Sequence, residues 1–288
     1  VQLSANCLQC GRFSLEGEWI YFRPSIDTSI LSETRSIGAM LSTNKSVNII
    51  PPFRSGWRIA ANYLRYNDLD NFSVRWTDLR VHEKKFHSGG NFLSLAGGAP
   101  LASVQDSLKL SYHALEGIYS YAFLNCCNSN ATFLAGFQYA WVSAKQNAIL
   151  TTPLEIQTVK QNGRFWGIGP EIGLSFGIGL CDGFSIVGSG TSALLVSRLH
   201  ESITATNIFT INRLCITPLW RVVPAWDLRA GLRYDQGYCL VSLYLEIGYE
   251  VLHYARSLKL LDISSDISSF AYSNFDMHGP YLSFGCDF

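Results

Sequence analysis

Apolar and polar residues alternate with a period of two along most of the chain, the pattern of strands rather than helices. Phe13, Leu15, Trp19 and Tyr21 share a face opposite Ser14, Glu16 and Glu18. Phe53, Trp57, Ile59, Ala61 and Tyr63 oppose Arg54, Arg58 and Asn62, and Phe72, Val74 and Trp76 oppose Ser73, Arg75 and Thr77. Further runs place Leu108, Leu110, Tyr112 and Ala114 against Lys109 and His113, and Phe133, Phe137, Tyr139 and Trp141 against Gly136 and Gln138. In the second half, Trp166, Ile168, Ile172, Leu174 and Phe176 oppose Gly167, Gly169, Glu171 and Gly173. Trp226, Leu228, Ala230, Leu232 and Tyr234 face away from Asp227, Arg229, Arg233 and Asp235, and Leu243 to Val251 alternate with Tyr244, Glu246 and Glu250. The stretches 184–196 and 205–216 add weaker runs, and Leu282, Phe284, Cys286 and Phe288 close the chain on one face.

That makes eleven runs. Bacterial single-chain membrane barrels have even strand numbers, so the expectation is about twelve strands, within a range of roughly ten to sixteen. The segments between runs differ in length. Residues 67–71, 125–130, 181–183 and 235–237 read as short turns, and 24–52, 83–103, 144–162 and 252–280 as long loops. Short periplasmic turns and long extracellular loops are the arrangement of outer-membrane barrels. The fold class expected is therefore all-β: a transmembrane antiparallel β-barrel of residues 13–288, preceded by a periplasmic segment of residues 1–12. A soluble sandwich needs one face of each strand in a core and the other in water. Here the bulky rows recur opposite Gly, Ser, Arg and Glu, which places the bulk against lipid and the polar face in the lumen.

Composition sharpens this picture. Charged residues make up 15% of the chain and aromatics 13%, a balance suited to a lipid-facing surface. Net charge is zero, which removes the electrostatic reason to expect a nucleic-acid partner. No apolar run reaches the ~18 residues of a membrane-spanning helix. The chain begins with Val, as a processed form would, and Tyr281, Leu282, Phe284 and Phe288 form the terminal aromatic pattern of a signal for outer-membrane insertion. Trp19, Tyr63, Trp76, Tyr139, Trp141, Trp166 and Trp226 are candidates for the interfacial aromatic girdles.

Several segments resemble, in order, the Legionella-type, chlamydia-associated family of major-outer-membrane-protein-like porins. The opening Phe13-Ser-Leu-Glu-Gly-Glu-Trp-Ile-Tyr-Phe-Arg-Pro24 is similar to the family's first strand. Asn162-Gly-Arg-Phe-Trp-Gly-Ile-Gly-Pro-Glu-Ile-Gly-Leu174 is similar to its Gly-rich central strand. Trp226-Asp-Leu-Arg-Ala-Gly-Leu-Arg-Tyr-Asp235, Leu245-Glu-Ile-Gly-Tyr-Glu250 and His278-Gly-Pro-Tyr-Leu282 complete the pattern. The resemblance implies a pore-forming barrel in the bacterial outer membrane, with no catalytic residues and no cofactor.

On this reading the lumen is lined by Arg54, Arg58, Arg75, Arg164, Arg229 and Arg233, with Glu16, Glu18, Glu171, Asp227, Asp235, Glu246 and Glu250. Charges of both signs in similar number imply weak ion selectivity. The function expected is passive diffusion of small hydrophilic solutes. The alternative is a structural or adhesive envelope barrel with a closed lumen. The partners expected are the outer-membrane bilayer, its assembly machinery, the solutes, and a second copy or disulfide-linked neighbours. Cys7, Cys10, Cys126, Cys127 and Cys181 fall at the periplasmic rim, an oxidising compartment, and are the disulfide candidates. One CxxC without a second ligand pair makes a poor zinc site, and His82-Glu83 with His87 reads as solvated loop, so no metal is expected.

Overall fold

The computed structural model describes residues 12–26, 31–37, 41–47, 51–65, 69–88, 92–93, 103–126, 128–151, 156–206, 211–237, 241–262 and 269–288. Its strands, in chain order, are β1 (Arg12–Ile26), β2 (Leu31–Ile37), β3 (Leu41–Val47), β4 (Arg54–Leu64), β5 (Asp70–Ser88), β6 (Phe92–Leu93), β7 (Ser103–Cys126), β8 (Ser129–Thr151), β9 (Ile156–Gly179), β10 (Phe184–Thr206), β11 (Ile211–Gly237), β12 (Ser242–Asp262) and β13 (Ser269–Asp287). Ten of them close into an antiparallel barrel in the order β1-β4-β5-β7-β8-β9-β10-β11-β12-β13 and back to β1. Closure is made by β1 against β13, where the Phe288 N–H donates to the Phe13 carbonyl at 2.8 Å. The remaining three strands form a small sheet in the order β3-β2-β6, built from the two long segments that follow β1 and β5.

The count is therefore ten, not about twelve. The run at 205–216 is not a strand of its own. It straddles the β10–β11 hairpin, whose last pair is Thr206 with Ile211. Asn207-Ile-Phe-Thr210 contains neither Gly nor Pro, so the sequence carries no turn signal between the two strands. Two of the expected long loops are also mostly strand. β8 continues to Thr151 and β9 begins at Ile156, while β12 continues to Asp262 and β13 begins at Ser269. Crossing the hydrocarbon takes about 9–11 residues of tilted strand. β11 has 27 residues, so its end distant from the short turns stands well clear of the bilayer.

The strand ends that flank the four segments read as short turns all lie at the same end as β1's start and β13's finish. The tightest is Cys181-Asp-Gly-Phe184, where the Phe184 N–H donates to the Cys181 carbonyl at 2.9 Å. Asp182 and Gly183 have φ of 51° and 84°, the double left-handed geometry of a two-residue hairpin that Asp-Gly favours.

The outward face is apolar, as the alternation predicts. Ile59 is 55% exposed, Phe137 66%, Leu228 60% and Ile247 59%. One assignment is reversed. Leu108, Leu110, Tyr112 and Ala114 are buried inside the barrel, while Lys109 and His113 point outward. That stretch lies near the far end of β7, where the interior is apolar and the exterior faces water. In the lipid zone the same strand presents Leu115, Tyr119, Tyr121 and Phe123 outward.

Candidate functional site in the lumen

The lumen changes character along its length. Toward the short turns it is a polar cavity of about 800 Å³, lined among others by Glu16, Arg75, Asp227, Arg229, Arg233 and Glu246. Glycines make room for rings lying flat against its wall. A Cβ on Gly248 would meet the Tyr281 hydroxyl at 2.5 Å, and one on Gly285 would meet the Tyr244 ring at 2.1 Å. The guanidinium of Arg229 lies 4.3 Å from the Tyr281 ring and that of Arg233 3.7 Å from the Tyr244 ring, both cation–π contacts.

At the floor of this cavity the barrel register sets charges directly opposite one another. Glu18 pairs with Arg58 across β1 and β4, and Arg229 with Glu250 across β11 and β12. Arg58 reaches over β1 and β13 to hold both carboxylates, with Nη1 at 2.6 Å from Glu18 and Nη2 at 2.7 Å from Glu250. Its Nε donates to Thr77 Oγ1 at 2.9 Å. Arg229 completes the square, donating to Glu18 and lying 3.4 Å from Glu250. The two carboxylate side chains are 0% exposed and Arg58 is 3% exposed. Charges this dry persist because each has an opposite partner and hydrogen bonds.

Above the square the lumen turns apolar. Ile20, Phe22, Leu79, Leu110, Val142 and Phe165 belong to one buried cluster with Leu195, Val223, Leu252, Phe275 and Met277. Tyr112 and Tyr254 are joined through their hydroxyls at 2.9 Å. Their strands, β7 and β12, stand five places apart in the ring of ten, so this hydrogen bond spans the diameter. Gln138 Nε2 donates to the Tyr254 hydroxyl at 3.2 Å, and the Phe275 ring packs on Tyr112 at 5.8 Å and Tyr254 at 6.1 Å. At this level side chains from opposite walls meet.

The structure gathers most of the predicted lumen residues. Arg58, Arg229 and Glu250 join Glu18 in the square. Arg75 lies 3.3 Å from Glu116, Arg233 holds Asp235 at 2.8 Å, and Glu246 accepts from Tyr281 at 2.6 Å. Asp227 and Glu171 are buried facing inward. Arg54 instead sits toward the long-loop end of β4, paired with Glu83 at 2.7 Å. Arg164 is a correction: it has the parity of Trp166 and is exposed on the outside, so it does not line the lumen. The plug residues escape the sequence reading for different reasons: the row of Tyr112 has the period of a lipid-facing face, Tyr254 falls in the stretch 252–280 expected as a loop, and Phe165 is a single ring among the glycines of the polar face.

Leu282, Phe284 and Phe288 are exposed on the outer wall, whereas Tyr281 is buried in the lumen. Cys126 and Cys181 are free and exposed at the short-turn end. Cys7, Cys10 and Cys127 lie outside the described residues. Two acid–imidazole pairs form that the sequence spacing hides, Asp78 with His113 at 2.8 Å and Asp276 with His253. Both have outward parity and each His stacks on a Trp, Trp141 and Trp226 respectively, at 5.0 Å. Among the described residues no group of His, Cys, Asp and Glu is arranged to hold a metal ion, and His82 is exposed beside the ion-paired Glu83.

The profile of the family described as Legionella pneumophila major outer membrane protein precursor matches residues 7–288. No curated protein matches the chain. Among solved structures, the outer membrane protease OmpT of Escherichia coli aligns over 96% of both chains at 11% identity, with a TM-score of 0.44. The toluene transporter TbuX of Ralstonia pickettii aligns over 96% of this chain and 88% of its own at 10% identity, with a TM-score of 0.36. The attachment invasion protein Ail of Yersinia pestis aligns over 96% and 99% at 10% identity, with a TM-score of 0.25.

Proposed function

Since this chain belongs to the Legionella pneumophila major outer membrane protein family and is an outer-membrane protein, we propose that it serves the envelope as a structural barrel with a sealed lumen. The observation that carries this reading is the hydrogen bond between Tyr112 and Tyr254 across the full diameter, set in a layer of buried rings and aliphatic chains. A hydrophilic solute or ion entering the polar cavity meets the charged square and then a dry apolar wall. The cost of stripping its water makes such a wall a barrier. Ten strands also lie close to the roughly eight at which side chains fill a barrel, and far from the 16–18 of open channels.

The exposed Cys126 and Cys181 suit disulfides to neighbouring envelope proteins, the linkage expected of a structural role. Identical migration on reducing and non-reducing gels of freshly prepared envelopes would remove that part of the proposal.

A second reading is a gated porin. It is favoured by the blind cavity beneath the plug, which carries both signs of charge on the pore axis. Swelling of liposomes in isotonic small sugars separates the two. The structural reading expects the purified full-length barrel to swell liposomes no faster than lipid alone. Swelling that rises with the amount of protein and falls with sugar size would instead establish a diffusion pore.

A further inference from the structure

Just beyond the tryptophans, the outer wall of β5, β7, β8, β9 and β10 becomes basic. The strand register shows it as successive rows. One row runs Asp78, His113, Trp141, Trp166, Arg198 and, on β11, Trp220. Trp166 and Trp220 meet edge to face at 5.5 Å. Tryptophans in this arrangement sit at the membrane–water interface. Two residues further from the short turns, about 7 Å along each strand, the next row is Arg80, Ser111, Ser143, Arg164 and His200. The row after that contains His82, Lys109, Lys145 and Asn162.

Arg80, His82, Lys109, Lys145, Arg164, Arg198 and His200 are all exposed. Asp78 is the single carboxylate in these rows among the described residues, and it is already held by His113 at 2.8 Å and Arg80 at 3.3 Å. No acidic side chain among the described residues is within ion-pair distance of Lys109, Lys145, Arg164 or Arg198. Lys109 and Lys145 stand directly opposite each other. Like charges at that separation destabilise a sheet, so the fold alone gains nothing from the pair. The contrast with the lumen, where Arg58, Arg75, Arg229 and Arg233 each have a carboxylate partner, is sharp.

We propose that this wall binds the phosphate groups of an anionic glycolipid in the outer leaflet. Lys109, Lys145, Arg164 and Arg80 supply the charge. The Ser111 hydroxyl, lying between Arg80 and Arg164 in their row, supplies a neutral donor. The tryptophan row beneath holds the acyl-chain boundary, so the cations stand at headgroup depth. A bound phosphate offsets the repulsion between Lys109 and Lys145 and fixes the lipid on one side of the barrel.

The test uses the full-length, delipidated barrel in detergent, with native mass spectrometry and tryptophan fluorescence as readouts. The probes are bisphosphorylated lipid A, phosphatidylcholine and inorganic phosphate. The wild type is expected to bind lipid A at least about tenfold more tightly than phosphatidylcholine, given the gain from each cation near an anionic surface. The Lys109→Ser/Lys145→Ser/Arg164→Ser variant is expected to lose that preference, while Arg256→Ser, an exposed cation outside these rows, keeps it. Should the triple variant not fold, Lys145→Gln alone carries the comparison. Undiminished preference in the variants overturns the proposal. So does equal binding of phosphatidylcholine, or displacement of lipid A by an equal concentration of inorganic phosphate.

Discussion

Arg58 shows how this barrel tolerates charge in its interior. It makes four hydrogen bonds, to Glu18, to both oxygens of Glu250 and to Thr77, and has almost no contact with water. A buried pair of this kind is weak evidence for net stability, because desolvation offsets much of the attraction. Breaking it is another matter. Arg58→Ala leaves Glu18 and Glu250 sharing Arg229 alone and should lower unfolding stability by about 3–5 kcal/mol. Urea titration followed by the gel shift between folded and unfolded barrel measures it. A change within about 0.5 kcal/mol, the range of an ordinary surface substitution, would show that the square carries no structural weight. Residue identity alone disclosed that Arg58, Arg229 and Glu250 face inward, since parity suffices for that. It did not disclose that Arg58 crosses two strands to reach Glu250, because reach depends on which strands adjoin, and 192 residues separate the two.

Each strand carries two zones, and the boundary between them decides what a given alternation means. In the lipid zone the bulky row faces out; beyond it the bulky row faces in. On β11, Ala230 faces out beside Leu228 and Leu232, so Ala230→Arg puts a charge into hydrocarbon and should cost about 2–4 kcal/mol near the midplane. The same urea titration, run on barrels refolded in lipid vesicles, checks this. An unchanged midpoint would mean that this face does not meet lipid. The two-zone character also explains what was legible in sequence. The runs from Phe13 to Tyr21, Phe133 to Trp141 and Trp226 to Tyr234 were assigned to the correct face because they lie within the lipid zone. The run from Leu108 to Ala114 has the same period but lies beyond it, and period alone does not report solvent. Arg164, two residues past Trp166, sits at that boundary on β9. Strand number failed for a different reason: residues 205–216 take in the end of β10 and the start of β11, and no Gly or Pro at 207–210 marks the boundary between them.

At the scale of the whole molecule the barrel is a cylinder greased outside, wet at the short-turn end and closed beyond the charged square by a buried apolar layer. The family assignment and the outward rows agree on the outer membrane. The interior decides between a conduit and a wall. Tyr112, Tyr254 and Phe275 come from β7, β12 and β13 and are each no more than 1% exposed, so packed side chains close the lumen at that level. Truncating all three to Ala removes the diametric hydrogen bond and three rings, while the charged square, the register and the lipid face stay in place. Single-channel recording in planar bilayers tests the sealed lumen most directly. The wild-type barrel should insert without stepwise current, and Tyr112→Ala/Tyr254→Ala/Phe275→Ala should produce discrete steps. Stable steps from the wild type, equal in size to those of the triple variant, would contradict the account.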